Sequence, residues 1–242
     1  MNQLLIIIPA YNEEKNIEYV VNQIIEHYPQ YDYVIVNDGS KDRTSAICHK
    51  NGYEIIDLPI NLGLAGAFQT GMRYAAVKGY EYAIQLDADG QHLPEFVETM
   101  KKKMDQGYDI VIGSRFVSEK KPKSMRMLGS NFIEKAIQIT THQKIADPTS
   151  GMRLFNRGMI QEFASNINYG PEPDTISFLI KQGAKVAEVQ VEMKERMAGE
   201  SYLNWARSIS YMLKMSISII LIQNFRKRVV VKNTDQEGDI AS

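Results

Sequence analysis

The chain has 242 residues, of which 44% are hydrophobic and 24% charged, and its formal net charge is −1. These values are ordinary for a globular protein, and the near-zero net charge excludes a strongly basic, nucleic-acid-binding surface as a global property. The single cysteine, Cys48, excludes an internal disulfide framework and fits a reducing compartment. It lies in a predicted helix, where we interpret it as a small core residue.

The distribution of apolar residues predicts neither a targeting segment nor a membrane-spanning helix. The apolar run Leu4–Ile8 is interrupted at once by Pro9, so it does not resemble a signal peptide. No stretch offers the roughly 20 apolar residues that a membrane-spanning helix needs. We therefore expect a cytoplasmic location, with peripheral contact to the inner face of the cell membrane left open.

Short apolar strands alternate with helices along the first half of the chain. The predicted strands are Leu4–Ile8, Tyr33–Val36, Glu54–Leu58, Tyr82–Leu86 and Asp109–Ile112. The first helix is predicted from a cap at Asn12 to about His27, with apolar residues at helical spacing. Helices between consecutive buried strands predict an α/β fold with a mostly parallel, doubly wound sheet. Such sheets bind ligands at the carboxyl ends of their strands.

An acidic turn follows the fourth predicted strand. Asp87 and Asp89 lie one residue apart there, and two carboxylates at the end of a buried strand are costly unless a cation holds them. Mg²⁺ and Mn²⁺ prefer oxygen ligands, and Mg²⁺ often combines one or two carboxylates with substrate phosphates. The turn therefore indicates a metal and diphosphate site, although a plain polar turn would explain the two aspartates alone. Polar clusters after strands one, two and five are expected at the same edge of the sheet.

Five motifs carry a resemblance to a known family. They are IIIPAYNEE (Ile6–Glu14), VNDGSKDRT (Val36–Thr44), NLGLAGAFQTG (Asn61–Gly71), LDADGQHLPE (Leu86–Glu95) and IGSRF (Ile112–Phe116). In this order they resemble the nucleotide-sugar domain of family 2 glycosyltransferases, and within that family the dolichol- or polyprenyl-phosphate sugar synthases. The resemblance runs from about Leu4 to Tyr202 and implies a GT-A type fold.

The resemblance implies a role for each motif on the donor side. The nucleotide-sugar contacts would come from Pro9, Ala10, Tyr11, Glu13, Asp38, Gly66 and Asp87. Mg²⁺ or Mn²⁺ would be held by Asp87, Asp89 and Gln91. Gly90 stands where the synthases usually have leucine, and His92 is expected to shape the turn rather than bind metal. Arg115 would neutralise diphosphate charge, with a structural salt bridge as the alternative.

The second half is expected to carry the acceptor side. Asp147, in the segment DPTSGMR, resembles the residue that orients or deprotonates the acceptor, and Asp174 falls where the synthases carry a glutamate. Glu172 is expected to stabilise the N-terminus of the helix Thr175–Lys181, a role also open to Asp174. Arg196 would meet the diphosphate, but Tyr202 replaces the lysine expected nearby.

The basic segment 120–126 is either a solvated charge run or a cradle for an anionic acceptor.

Three segments are predicted: a catalytic domain over 1–203, an amphipathic helix over 204–228 and a disordered polar tail over 229–242. The helix would lie on a membrane surface or contact protein, either a membrane-protein partner or a second copy.

The predicted function is metal-dependent, inverting transfer of a sugar from a nucleotide diphosphate sugar, with a UDP-sugar favoured, to a polyprenyl phosphate. Transfer to a hydroxyl of a lipid-linked or cell-surface glycan is the alternative, and it would require a base. A non-catalytic nucleotide-sugar-binding or scaffold protein is a third possibility. A dinucleotide-binding oxidoreductase is excluded, because G-x-G-x-x-G is absent after the first strand.

Overall fold

The computed structural model describes residues 3–165, 170–194 and 205–225. Seven strands form one sheet, with helices on both faces. The strands are β1 Leu4–Ala10, β2 Asp32–Asn37, β3 Ile55–Asp57, β4 Tyr82–Gln85, β5 Ile110–Ser114, β6 Arg153–Asn156 and β7 Val186–Gln190. The helices are α1 Ile17–His27, α2 Thr44–Lys50, α3 Gly63–Lys78, α4 Val97–Met104, α5 Met125–Thr141, α6 Arg157–Ser165, α7 Pro173–Lys181 and α8 Trp205–Ile220.

The sheet order is β3-β2-β1-β4-β6-β5-β7, and every neighbouring pair is parallel except the two pairs that include β6. This confirms the predicted α/β class with a mostly parallel sheet. The antiparallel strand β6 was not predicted from the sequence. Its first residue, Arg153, pairs with Gln85 of β4 and Ile112 of β5, so β6 lies between the strands that precede the acidic turn and Arg115.

The sheet separates two hydrophobic cores. Alternate residues of β1 face opposite sides, with Leu5 and Ile7 in one core and Leu4, Ile6 and Ile8 in the other. A strand buried on both faces requires a continuous apolar run, which explains the sequence of β1. The first core also holds a cluster of three phenylalanine rings whose centroids lie 5.1–5.5 Å apart, from Phe68, Phe155 and Phe163.

The predicted start of the first helix is wrong. Helix α1 begins at Ile17, after Asn16, whereas Asn12 has a left-handed backbone with φ 57°. The Asn12 side-chain oxygen instead accepts the Lys41 N–H at 2.8 Å, so this residue joins two loops rather than capping a helix. The core assignment of Cys48 is confirmed, since it is fully buried and burial raises the pKa of its thiol to about 11.

Helix α8 lies within the predicted segment 204–228 and packs against α5 and α7. None of the helices in the described residues is long and apolar enough to cross a membrane. The ends of this segment and the predicted tail 229–242 lie outside the described residues, so the proposed domain boundaries stay a prediction.

Candidate active site

A cavity of about 330 Å³ lies at the carboxyl ends of β1, β2 and β4, beside the start of α3. Its lining residues are Pro9, Ala10, Tyr11, Glu13, Asp38, Asn61, Gly63, Leu64, Ala67, Asp87, Ala88 and Asp89. Six of the seven residues predicted to contact a nucleotide sugar are therefore brought together.

The seventh, Gly66, is not among the lining residues. Three other residues of α3 line the cavity instead, namely Gly63, Leu64 and Ala67. Gly63 and Leu64 lie four and three residues before Ala67, which places them on one face of the helix, whereas Gly66 lies two residues from Leu64 and so points to a different face. A Cβ atom on Gly66 would lie 2.4 Å from Cβ of Leu62, so this glycine serves packing within the loop and helix.

Hydrogen bonds join the loops after β1 and β2 into one wall of the cavity. The amide of Asn12 donates to Oγ of Ser40 at 2.9 Å, and the amide of Glu13 donates to Oγ1 of Thr44 at 2.9 Å. The left-handed backbone of Asn12 allows its side chain to accept from Lys41 at the same junction. These hydrogen bonds between the two loops hold Tyr11 and Glu13 next to Asp38.

Asp38 connects the second loop to the start of α3. Its Oδ1 accepts the Leu62 N–H at 2.7 Å. Burial raises the pKa of the Asp38 carboxyl, and hydrogen bonds from the Leu62 and Gly63 amides offset part of that rise. The next residue, Gly39, has φ 65°, and a Cβ atom there would lie 2.7 Å from the Asn61 nitrogen. Only glycine therefore allows this close approach of the two loops.

The acidic turn is held by its own neighbours. Oδ1 of Asp87 accepts from Nε2 of Gln85 at 2.9 Å, and the amide of Asp87 donates to Nδ1 of His92 at 2.9 Å. Because Nδ1 accepts, the proton of a neutral His92 lies on Nε2, which is 3.7 Å from Oδ2 of Asp87. His92 is buried and shapes the turn, as the sequence predicted.

Two carboxylates of this turn have the chemistry of a divalent metal site. Asp87 and Asp89 both line the cavity, and carboxylate oxygens suit Mg²⁺ or Mn²⁺. Among the described residues no group of three or more His, Cys, Asp or Glu side chains could hold a metal by itself. The residues therefore fit a metal that also takes phosphate oxygens from a bound nucleotide. Gln91, the third predicted ligand, donates from Nε2 to the Lys194 carbonyl at 3.3 Å and does not line the cavity.

Arg115 and Asp147 form a bidentate ion pair in which the arginine is partly exposed and the aspartate is buried. Nε of Arg115 lies 2.7 Å from Oδ2 of Asp147, and Nη2 lies 2.9 Å from Oδ1. The backbone amide of Arg115 donates to the same carboxylate at 3.2 Å, and Asp147 is fully buried. This is the structural salt bridge that the sequence left open for Arg115, and it occupies both oxygens of Asp147.

The carboxylates at the start of α7 contact α8. Glu172 occupies the N-cap position of α7, at the helix N-terminus where the sequence predicted it, but its side chain makes no capping hydrogen bond. Its carboxylate instead accepts a hydrogen bond from the Tyr211 hydroxyl. Asp174 is 6% exposed and accepts from Oγ of Ser218 at 2.7 Å. Sequence reasoning missed Tyr211 and Ser218, because nothing in the local pattern of a helix shows which distant segment it will cover.

The basic loop before α5 is partly neutralised. Nζ of Lys121 lies 2.7 Å from Oε2 of Glu134 and 5.8 Å from the centre of the Phe116 ring. This lysine fastens the loop to α5, whereas Lys120 and Lys123 are exposed. Arg196, predicted to meet the diphosphate, lies outside the described residues.

Comparison with known proteins gives consistent results at the levels of family, sequence and fold. The family model described as Glycosyl transferase family 2 matches residues 5–163. The polyprenol monophosphomannose synthase of Mycolicibacterium smegmatis is 27% identical, over 88% of this chain and 85% of its own. The undecaprenyl-phosphate mannosyltransferase of Micrococcus luteus is 28% identical, over 84% of this chain and 88% of its own.

One solved structure shows the same fold. It is the glucosyl-3-phosphoglycerate synthase of Mycobacterium tuberculosis in complex with Mn²⁺, uridine diphosphate and phosphoglyceric acid. The TM-score is 0.65 at 15% identity, and the match covers 93% of this chain and 80% of that one.

Proposed function

Since the chain belongs to glycosyl transferase family 2, we propose that it moves a sugar from a nucleotide diphosphate sugar to the phosphate of a polyprenyl phosphate. The reaction is metal-dependent and inverts the anomeric carbon. A UDP-sugar is the favoured donor, and Mg²⁺ or Mn²⁺ the metal. Two relatives support this assignment, one named a polyprenol monophosphomannose synthase and the other an undecaprenyl-phosphate mannosyltransferase. A structural neighbour solved with Mn²⁺ and uridine diphosphate supports the metal and the donor.

The cavity at the carboxyl edge is the proposed donor site. All four of the residues Tyr11, Asp38, Asp87 and Asp89 line this cavity. In the proposal, Asp38 and Tyr11 would contact the nucleoside, and Asp87 and Asp89 would face the diphosphate. These two carboxylates would hold the metal, whereas Gln91, predicted as a third ligand, does not line this cavity. A metal bound there supplies positive charge that stabilises the leaving diphosphate.

One observation carries the acceptor assignment. The two carboxylates predicted as candidate bases, Asp147 and Asp174, are both engaged by protein partners. Asp147 is fully buried, and Arg115 occupies both its oxygens. Asp174 is nearly buried and receives the Ser218 hydroxyl. A sugar hydroxyl needs a base to remove its proton, whereas the oxygen of a phosphate monoester is already ionised near neutral pH. A phosphate acceptor therefore fits this geometry better than a hydroxyl does.

Peripheral contact with a membrane surface is part of the proposal, because a polyprenyl acceptor resides in a bilayer. Exposed apolar side chains project from α5 and α8, among them Phe132, Leu213 and Ile217. Between the two helices lies an apolar groove of about 440 Å³. Lys135 and Lys214 are exposed next to these residues and would attract anionic lipid headgroups.

The test is product analysis with purified protein, Mn²⁺ or Mg²⁺, a panel of UDP-, GDP- and TDP-sugars, and undecaprenyl phosphate in detergent. We expect one donor to yield a lipid whose mass has risen by one sugar residue, and chelation of the metal to abolish it. Hydrolysis of the donor without this lipid product would overturn the acceptor assignment and favour a glycan hydroxyl. Binding of donors without any transfer would favour the non-catalytic alternative.

A further inference from the structure

Arg153 occupies an unusual place for a charged residue. It is 1% exposed and begins the antiparallel strand β6, between β4 and β5. A buried guanidinium is costly unless several polar groups compensate for its lost hydration. Its surroundings in the structure therefore indicate what this arginine does.

The two terminal nitrogens of Arg153 reach two separate segments. Nη1 donates to the Pro171 carbonyl, and Nη2 donates to the Pro148 carbonyl at 2.8 Å. Pro148 directly follows Asp147, and Pro171 lies three residues before Asp174. One rigid guanidinium thus joins the loop of the Arg115–Asp147 ion pair to the N-terminus of α7.

The charge of Arg153 is balanced without a direct ion pair among the described residues. Glu172, Asp147 and Asp174 lie near enough to favour its charged form, although burial lowers the pKa of the guanidinium. Nε has no hydrogen-bond partner in the part of the chain that the structure describes. The donors that are used both go to backbone carbonyls, so their effect is on the position of the backbone.

We propose that Arg153 is a positioning residue that fixes the distance between the Asp147 loop and the start of α7, and thereby shapes the acceptor side of the active site. This inference rests on the proposed function for the identity of the acceptor. Its structural part, the joining of two segments, does not depend on the reaction. Arg153 contributes nothing to the donor cavity, since it is not among the residues that line it.

The test compares Arg153→Lys with Arg157→Lys. Lysine keeps the charge at residue 153, but its single nitrogen lacks the fork that donates in two directions. Arg157 is the matched control, because it lies four residues further on and makes an exposed ion pair with Glu81 at 2.8 Å. Arg153→Met removes the charge as well. If that variant does not fold, the lysine variant decides.

Hydrogen–deuterium exchange gives the readout that is independent of activity. We expect Arg153→Lys to speed exchange in residues 147–152 and in residues 172–176, where the amides of Ser150 and Thr175 close the local turns. Exchange around the donor loops 38–44 should stay unchanged, as should both segments in Arg157→Lys. Unchanged exchange in either segment of Arg153→Lys would overturn the proposal.

Kinetics separate positioning from general damage. With undecaprenyl phosphate as the acceptor, Arg153→Lys should raise the acceptor KM on the order of tenfold, since small misplacements at a reactive site are costly. The affinity for UDP with Mn²⁺ should stay within about twofold of the parent protein. A rise in acceptor KM matched by an equal loss of UDP affinity, or no change in acceptor KM, would contradict the proposal. If the parent protein transfers no sugar to this lipid, the proposed function fails, and the exchange experiment still decides the role of Arg153.

Discussion

At the scale of single residues, the same carboxylate side chain serves different purposes in this protein. Asp87 and Asp89 line the donor cavity, where a metal and phosphates would offset their charge. Asp147 is fully buried against Arg115. Sequence motifs identified all three positions but not this difference, because a motif contains neither the burial of a residue nor its partner.

Removal of one cavity carboxylate tests the metal assignment. We expect Asp89→Asn to lower turnover roughly 100-fold or more, because a Lewis-acid metal contributes several kcal/mol of charge stabilisation. Titration of Mn²⁺ in the presence of UDP, followed by electron paramagnetic resonance, should show weaker binding. Asp105→Asn, at an exposed carboxylate that pairs with Lys101, is the control and should behave like the parent protein. Full turnover of Asp89→Asn at limiting Mn²⁺ would contradict the assignment.

The pH dependence of stability has a specific contribution from Asp42. Burial alone would raise the pKa of Asp42, but hydrogen bonds from Thr44 and the Glu14 amide lower it. A carboxyl with a lowered folded-state pKa adds stability above its unfolded-state pKa of about 3.9 and loses it as pH falls. Asp42→Asn should therefore destabilise the protein at pH 6 and much less at pH 3, as measured by urea unfolding. An equal difference at both pH values would contradict this.

At the scale of elements, the sequence predicted the parallel part of the sheet well, because buried parallel strands have continuous apolar runs. It did not predict β6, because this strand has only four residues, Arg153–Asn156, and begins with an arginine. The start of α1 was predicted wrongly because asparagine is a common helix-capping residue, whereas the Asn12 side chain accepts a hydrogen bond from the neighbouring loop. In both cases the local structure depends on residues that are distant in the sequence, namely the strands β4 and β5 beside β6 and Lys41 beside Asn12.

The packing of α8 on α5 depends on Gly129. A Cβ atom there would lie 1.5 Å from Sδ of Met212, so Gly129→Ala forces this side chain to move. We expect a loss of about 1–3 kcal/mol in the free energy of unfolding. In a Met212→Ala background the same change should cost clearly less, because the clash is removed. Equal costs in the two backgrounds, measured by urea unfolding, would show that the two residues do not interact in this way.

The outer face of α8 provides the test of membrane contact. Leu213 is 60% exposed, and Leu213→Glu should weaken co-sedimentation with anionic phosphatidylglycerol vesicles on the order of tenfold. Val77→Glu is the matched control, since Val77 is 85% exposed on the distant helix α3. Equal vesicle binding by both variants would indicate that α8 does not contact the bilayer.

At the scale of the whole molecule, the fold places the proposed donor cavity apart from the residues proposed for the acceptor side. The proposed donor cavity lies over β1, β2 and β4. The Arg115–Asp147 ion pair joins the loop after β5 to the loop before β6, Arg153 begins β6, and Asp174 lies in α7. Both predicted bases are held by protein partners on the acceptor side. This arrangement supports an acceptor that arrives already ionised.

The most direct measurement of this account is the linkage in the product, determined by ¹H and ³¹P nuclear magnetic resonance. We predict that the anomeric carbon is bonded to the phosphate oxygen of the polyprenyl phosphate, with a configuration opposite to that in the donor. A phosphorus coupling to the anomeric proton would demonstrate this bond. A sugar attached to a hydroxyl oxygen, or a retained configuration, would contradict the account.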